Sequence, residues 1–201
     1  MLRKISAALA VAASLATGAA LAEVPTAKDG YAIATFAAGC YWCVESDFDK
    51  VKGVVDTTPG FMGGQTKNPT YHEVSTGTTG HAEVVNITYD PKVVSYTALL
   101  DHYWRNVDFV DGSGQFCDRG SQYRPAIFYY SDAQRAEAEA SKAAIAARFK
   151  AKVVVDIAKV SDFTPAPDPN FYQTNPLRYK YYRIGCGRDA RLQQLWNSAG
   201  S

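Results

Sequence analysis

The sequence predicts an α/β fold of the α+β kind, a two-layer sandwich in which helices flank a mixed β-sheet and a loop-rich C-terminal tail follows. Three observations support this class. The 201 residues are 47% hydrophobic, which is enough to pack one domain. Segments with strand and helix periodicity alternate along most of the chain, without an internal repeat. From Ser161 onward, prolines and tyrosines replace that periodicity.

The N-terminus predicts a secretory signal peptide over residues 1–22. Arg3 and Lys4 precede a run of small apolar residues over 5–21 that ends in a small-residue cleavage pattern. The alternative is a membrane anchor, for which the run is barely long enough. The expected mature protein is therefore a single domain over residues 23–201, located in the periplasm or secreted.

The charge balance excludes some classes of partner. Lys and Arg number 21 and Asp and Glu 20, and loss of the signal peptide removes two of the positive charges. A surface this close to neutral has no basic region to gather phosphates or anionic lipids. Neither nucleic acid nor a membrane is expected as a partner of the mature protein.

The first element is a strand over residues 31–37, because this short segment is almost continuously apolar. It leads into Gly39, Cys40 and a stretch over 41–49 with helix-compatible spacing and no proline. Cys40 is therefore expected at a helix N-terminus, where the macrodipole and free amides favour the thiolate. Cys40 is the leading nucleophile, and Cys43 follows on the same helical face.

The remaining elements follow in order. Loop signals occur at Pro59-Gly60, Gly63-Gly64 and Asn68-Pro69. Apolar periodicity and capping residues then predict a strand over 81–89, a helix over 95–107, a strand over 125–130, a helix over 131–150 and a strand over 152–159. Residues 160–201 form the loop-rich tail, which contains Cys186 and a short helix over 188–197.

Glu83 is a candidate general acid. The period-two pattern of its strand places it on the same face as Val85, Ile87 and Tyr89. Burial raises the pKa of a carboxyl group and keeps a proton available near neutral pH. A carboxylate that pairs with a basic residue at the strand end is the alternative interpretation.

The spacing of Cys40 and Cys43 allows a redox pair, half of a zinc site or a structural staple. A zinc site lacks its second half, because Cys117 and Cys186 stand alone and the three histidines lie elsewhere. We therefore expect no metal and no bound cofactor. In an exported protein, four cysteines allow three complete disulfide pairings, among which the sequence does not choose.

Five ordered motifs closely resemble those of the A-type peptide methionine sulfoxide reductases. They are Gly39-Cys-Tyr-Trp-Cys-Val-Glu45, Gly60-Phe-Met-Gly-Gly64, Asn68-Pro-Thr-Tyr71, Gly77-Thr-Thr-Gly-His-Ala-Glu-Val-Val85 and Gln122-Tyr-Arg124. The resemblance covers roughly residues 31–159. It assigns roles to seven residues: Cys40 as nucleophile, Glu83 as acid, Tyr71 and Tyr123 as donors to the sulfoxide oxygen, Asp118 as a lining residue of the pocket, and Tyr41 and Trp42 as the aromatic wall for the substrate methyl group.

The resemblance implies reduction of methionine S-sulfoxide in proteins, and in the free amino acid as well. Cys40 would become a sulfenic acid, a second thiol would condense with it to a disulfide, and an external thioredoxin-like dithiol would reset the enzyme. With the signal peptide, this implies repair of oxidised exported proteins.

The second thiol is left open among three cysteines. Cys186 lies between two glycines in the tail, where many family members keep theirs, and Cys43 is nearer in sequence. Cys117 is the third candidate, at a place where the family more often has Gly-Asn before the residue matching Asp118.

Two other functions fit part of the sequence. Cys40-x-x-Cys43 in an exported chain also suits a thiol–disulfide oxidoreductase, although Glu83 would then have no task. A binding domain stapled by inert disulfides is the non-enzymatic alternative.

Overall fold

The computed structural model describes residues 30–198, so the predicted signal peptide lies outside the described residues. Within them the strands are β1 (Ala32–Ala37), β2 (Val54–Met62), β3 (Ala82–Tyr89), β4 (Gly114–Gln115), β5 (Asp118–Arg119), β6 (Ala126–Tyr129), β7 (Asp156–Lys159) and β8 (Thr164–Pro165). The helices are α1 (Tyr41–Phe48), α2 (Tyr71–Ser75), α3 (Tyr96–Arg105), α4 (Asp132–Phe149), α5 (Phe171–Thr174), α6 (Pro176–Gly185) and α7 (Arg188–Asn197), with a 3₁₀ turn at Ser121–Tyr123. Among these residues, no helix is long and apolar enough to cross a membrane.

The central sheet has six strands in the order β7-β6-β1-β3-β2-β8. Only β6 and β7 run parallel, so the sheet is mixed, as the sequence predicted. Val85 and Ile87 of β3 join one apolar cluster with side chains of α1, α3 and α4, whereas Ala82 and Val84 join a second cluster with Phe163. Alternate residues of β3 therefore pack into different clusters, and the central strand is buried on both faces.

The prediction of a loop around Pro59-Gly60 is wrong, because both residues lie inside β2. The Pro59 carbonyl accepts a hydrogen bond of 2.9 Å from the Ala166 amide, which attaches the tail to this strand. A Cβ at Gly60 would lie 2.3 Å from the ring of Phe163. Gly60 is thus a point of close packing within a strand rather than a turn signal.

The tail is more helical than predicted. The helix over 188–197 is confirmed, but α5 and α6 precede it between Phe171 and Gly185, where a loop was expected. Pro176 occupies the first helical position of α6, where proline is favoured because no intrahelical N–H bond is lost. The strand predicted from residue 152 begins only at Asp156.

The chain between β1 and α1 is fixed by a close approach. Gly39 adopts a φ of +86°, and a Cβ there would lie 2.6 Å from the Cβ of Gln115. Gln115 belongs to the small β4–β5 hairpin, which therefore packs directly against the residue before Cys40. This contact brings the hairpin and the start of α1 together at one end of the sheet.

Candidate active site

Cys40 lies at the N-cap of α1, at the strand-to-helix turn that the sequence predicted. Its carbonyl accepts the Cys43 amide at 3.1 Å, which closes the first turn of the helix. Its side chain is buried, with 8% of the residue exposed. Cys40 therefore offers a sulfur that is nearly enclosed at the end of the core.

Glu83 comes from β3 and reaches the same turn. Its Oε2 accepts a hydrogen bond of 3.0 Å from the Tyr41 amide, the first helical N–H after Cys40. Only 2% of Glu83 is exposed, and burial raises its pKa to about 8. At neutral pH, Glu83 is a protonated carboxylic acid beside the thiol, as its predicted burial requires.

The expectation that the helix N-terminus favours the Cys40 thiolate is wrong in this state. Burial, and then the nearby carboxyl group of Glu83, raise the pKa of the Cys40 thiol well above its usual value. A helix of eight residues supplies a weak dipole, and its first free amide is already bonded to Glu83. The protein at rest therefore holds Cys40 as a thiol.

Two phenols border the same site. Tyr71 is the first residue of α2 and remains 42% exposed, and Tyr123 ends the 3₁₀ turn. Burial raises the pKa of both, and both interact electrostatically with Glu83 and Cys40. Both hydroxyls remain protonated at neutral pH and are available as hydrogen-bond donors near the thiol.

The aromatic pair after Cys40 is held by an acid from the tail. Asp168 accepts hydrogen bonds from the Tyr41 hydroxyl and from the Trp42 indole, the latter at 2.9 Å. The indole of Trp42 stacks on Phe171, with ring centroids 3.7 Å apart and planes 9° from parallel. Asp168 and Phe171 were missed by the sequence interpretation, because the proline-rich stretch around them has no periodicity.

Asp118 begins β5 of the hairpin, and its carboxylate accepts a hydrogen bond from the hydroxyl of Tyr182 in α6. Burial is the main cause that raises the pKa of the Cys40 thiol, and hydrogen bonding to Tyr182 opposes that rise. The sequence did not single out Tyr182. Its spacing of four residues from Cys186 was the available signal, because such a pair shares one face of a helix.

The four cysteines form one disulfide and one free pair. Cys117 and Cys186 are bonded, with their Cα atoms 4.8 Å apart, and Cys40 and Cys43 are free. Cys186 therefore lies at the C-cap of α6 in a fixed position rather than in a mobile segment.

Cys43 is 2% exposed and lies in a different electrostatic environment from Cys40. Burial raises its pKa, but the guanidinium groups of Arg188 and Arg183 oppose that rise. Arg188 is buried and donates hydrogen bonds to the carbonyls of Ala38 and Asn106. Both arginines also form ion pairs with Asp47.

One grouping within residues 30–198 has donors spaced as in a metal site, namely Cys117, Asp118 and Cys186. Two of its three donor atoms are the bonded sulfurs of the disulfide. A disulfide sulfur is a poor metal ligand, because metals bind the thiolate. In this state the grouping offers no metal site.

The site therefore collects a thiol, a neutral carboxylic acid, a second carboxyl group and several phenols, with an aromatic pair beside them. The family model described as "Peptide methionine sulfoxide reductase" matches residues 32–200. The chain belongs to this family. It is an oxidoreductase that reduces methionine sulfoxide, and the motifs quoted above identify it as the A type.

The relatives of the reductase agree in length and fold. Peptide methionine sulfoxide reductase MsrA of Bacillus licheniformis is 46% identical over 168 residues, which are 82% of this chain and 93% of the relative. The Bacillus subtilis enzyme of the same name is also 46% identical, over 83% of this chain and 96% of its own. Methionine sulfoxide reductase A of Corynebacterium diphtheriae superimposes with a TM-score of 0.67 at 32% identity, covering 75% of this chain and 77% of its own.

Reduced Mxr1 of Saccharomyces cerevisiae also superimposes on the reductase. The TM-score is 0.71 at 27% identity, with 76% of this chain and 90% of the yeast chain covered. The solved structures confirm the predicted fold class, and the family confirms the predicted enzyme class.

Proposed function

We propose that the reductase converts methionine S-sulfoxide in exported proteins, and free methionine S-sulfoxide, to methionine through a sulfenic acid on Cys40. The observation that carries this proposal is the hydrogen bond from the Tyr41 amide to Glu83. It holds a buried, protonated carboxyl group against the turn that contains Cys40. A general acid in that position can protonate the sulfoxide oxygen as the sulfur–oxygen bond breaks.

The chemistry is a transfer of oxygen between two sulfurs. The Cys40 sulfur attacks the sulfoxide sulfur, Glu83 protonates the oxygen, and Tyr71 and Tyr123 donate hydrogen bonds to it. The substrate sulfur is reduced to a thioether and the Cys40 sulfur is oxidised to a sulfenic acid. The oxygen and the Glu83 proton move to Cys40, and the thiol proton of Cys40 restores the Glu83 carboxyl group. Tyr41 and Trp42 form the wall that receives the substrate methyl group.

Cys43 then attacks the sulfenic acid, a Cys40–Cys43 disulfide forms, and one water leaves. Two observations support Cys43 over Cys186 and Cys117 as the second thiol. Cys186 and Cys117 are bonded to each other, and Cys43 is free one helical turn from Cys40. Burial raises the pKa of Cys43, but the neighbouring arginines reduce that rise, so Cys43 forms the attacking thiolate more readily than Cys40 does.

An external dithiol protein of the thioredoxin type then reduces this disulfide, and no bound cofactor takes part. Mxr1, the yeast structural neighbour, has also been solved in complex with Trx2. For an enzyme located in the periplasm or secreted, as the N-terminal segment predicts, the donor would be a thioredoxin-like protein of that compartment.

The test uses purified residues 23–201 and a peptide that carries one methionine sulfoxide of defined configuration. We expect reduction of the S epimer, no reduction of the R epimer, and none of either by Cys40→Ser. Chromatography of the peptide after reaction with a dithiol measures all three. Equal reduction of both epimers, or turnover by Cys40→Ser, would contradict the proposal.

A second assay addresses the competing oxidoreductase function. Thioredoxin-like activity would appear as rapid reduction of insulin disulfides without any turnover of sulfoxide. We expect the reverse, because the neutral acid beside Cys40 serves an oxygen-leaving step that disulfide exchange does not contain.

A further inference from the structure

Asp168, in the proline-rich part of the tail, joins the two rings of the aromatic pair. Its Oδ1 accepts a hydrogen bond from the Tyr41 hydroxyl, and its Oδ2 accepts one of 2.9 Å from the Trp42 indole. The two rings stand nearly perpendicular to each other, with planes at 87° and centroids 6.5 Å apart. A single carboxyl group therefore restrains the relative orientation of both rings of the proposed substrate wall.

The segment that carries Asp168 is anchored on both sides of it. Before it, the Ala166 amide donates a hydrogen bond of 2.9 Å to the Pro59 carbonyl of β2. After it, the Asn170 amide donates to both carboxyl oxygens of Glu45 in α1, at 3.0 Å each. Prolines at positions 165, 167 and 169 fix their own φ angles and favour extended backbone at the residue before each of them. Asp168 is thus held in a stiff stretch between two anchored residues.

The same segment holds Trp42 in a second way. The indole stacks on Phe171, three positions beyond Asp168, with planes 9° from parallel. A stack of this kind fixes the plane of the indole but leaves it free to rotate within that plane. The hydrogen bond from the indole N–H to Asp168 removes that remaining freedom. Phe171 and Asp168 together therefore determine where the indole edge lies.

We propose that Asp168 is a positioning residue that makes the reductase specific for methyl sulfoxides, by holding Tyr41 and Trp42 as a wall that does not yield to a larger alkyl group. Asp168 acts through the two rings and takes no part in the proton and oxygen transfers. This inference rests on the proposed function, in which these rings receive the substrate methyl group.

The energetic reason is the cost of fitting one extra methylene group. An apolar pocket separates substrates that differ by one methylene about 10- to 200-fold. A pocket reaches the upper part of that range only when its walls cannot move aside. If the two rings lost their common acceptor, they could turn and admit an ethyl group, and the discrimination would fall.

The test compares two peptides in a single turnover, with reduced enzyme in excess and no external reductant. One peptide carries methionine S-sulfoxide, and the other carries its ethyl homologue, ethionine S-sulfoxide. The selectivity is the ratio of the two second-order rate constants. Asp168→Ala removes both acceptor oxygens, and we expect it to lower this ratio about ten-fold. A general loss of folded enzyme would lower both rate constants equally and leave the ratio unchanged.

Asp168→Asn is the conservative variant that should rescue the selectivity. Its amide oxygen can accept the indole N–H of Trp42, and its amide nitrogen can donate to the hydroxyl oxygen of Tyr41. Both bonds can therefore form without the charge, and we expect a ratio within about three-fold of wild type.

Asp162→Ala is the matched control, because it removes an aspartate from the same tail. Asp162 pairs with Lys67, and both side chains are exposed, so the pair contributes little to stability. This variant should keep the wild-type selectivity.

Three results would overturn the positioning role. They are an Asp168→Ala ratio within about two-fold of wild type, an equal loss of selectivity in Asp168→Ala and Asp168→Asn, and a wild-type enzyme that reduces the two peptides equally fast. Failure of the proposed function looks different, because the wild-type enzyme would then release no methionine from the S-sulfoxide peptide.

Discussion

The two free thiols of the reductase lie one helical turn apart and have opposite surroundings. Around Cys40 are the carboxyl groups of Glu83 and Asp118, which add to the rise in pKa that burial causes. Around Cys43 are Arg188 and Arg183, whose positive charges reduce it. Two cysteines on one turn of helix are thus given different proton affinities by side chains from distant parts of the chain.

The difference assigns the two thiols to different steps. The first step needs proton donors near the sulfoxide oxygen. Around Cys40, the protonated Glu83 and the phenols of Tyr71 and Tyr123 are such donors. The second step needs a thiolate to attack the sulfenic acid. Arg188 and Arg183 make the Cys43 thiolate easier to form, because they reduce the rise in its pKa that burial causes. A uniform environment would serve only one of these steps well.

Removal of the Glu83 proton should have the largest effect on the Cys40 side. Glu83→Gln can still accept the Tyr41 amide but cannot act as an acid, so we expect the single-turnover rate constant to fall roughly 10²- to 10³-fold. Glu45→Gln is the matched control, because Glu45 is also fully buried, with a pKa raised by burial to about 7. Chromatography of the peptide in samples quenched at timed intervals measures both rates. A similar loss in the two variants would contradict the role of Glu83 as the acid.

Loss of the second thiol should spare the first step and arrest the cycle. We expect Cys43→Ser to release methionine at the wild-type rate in a single turnover. With a thioredoxin-like donor, its steady-state rate should fall roughly twenty-fold or more. The Cys40 sulfenic acid should accumulate and react with dimedone, which mass spectrometry detects. Wild-type steady-state turnover by this variant would contradict the separation of roles.

The pH profile of the first step should report Glu83. Its pKa is raised from 4.5 to about 8, so it is protonated below pH 8 and loses its proton above. We expect the single-turnover rate constant to fall about ten-fold from pH 7 to pH 9, since only the protonated form is the acid. In Glu83→Gln this fall should be absent. A rate that rises steadily across this range would show that thiolate formation at Cys40 dominates instead.

The smallest expected effect comes from removing one of the arginines near Cys43. Arg183→Gln removes one of the two cations near Cys43, and we expect disulfide formation to slow about three-fold while methionine release is unchanged. Lys180→Gln removes a charge from the exposed face of the same helix and should change neither rate. Tryptophan fluorescence and dimedone trapping at timed intervals measure the disulfide step. Equal rates in the two variants would contradict the role of Arg183.

Much of this site follows from local sequence. The strand-to-helix turn at Cys40 and the buried face of Glu83 are confirmed because periodicity and helix starts depend on neighbouring residues. Pairing across the sheet, which brings β3 beside β1, then places Glu83 at the Tyr41 amide.

The rest depends on contacts across more than a hundred residues. Asp168 and Arg188 reach the site from the tail, 126 and 150 positions from their partners Trp42 and Ala38. Cys40 is a thiol rather than a thiolate mainly because it is buried. The prediction from the helix dipole did not include this burial, because burial depends on the whole fold. The loop predicted at Pro59 was wrong for a related reason. Pairing with Val85 and the hydrogen bond from the Ala166 amide in the tail place Pro59 in a strand.

The disulfide formed after one turnover tests the central claim most directly. Wild-type enzyme, reduced at Cys40 and Cys43, is mixed with one equivalent of S-sulfoxide peptide, alkylated and digested, and the new disulfide is mapped by mass spectrometry. The division of roles predicts a bond between Cys40 and Cys43, with Cys117–Cys186 unchanged. A bond between Cys40 and Cys186 would contradict it and would make the tail cysteine the resolving thiol.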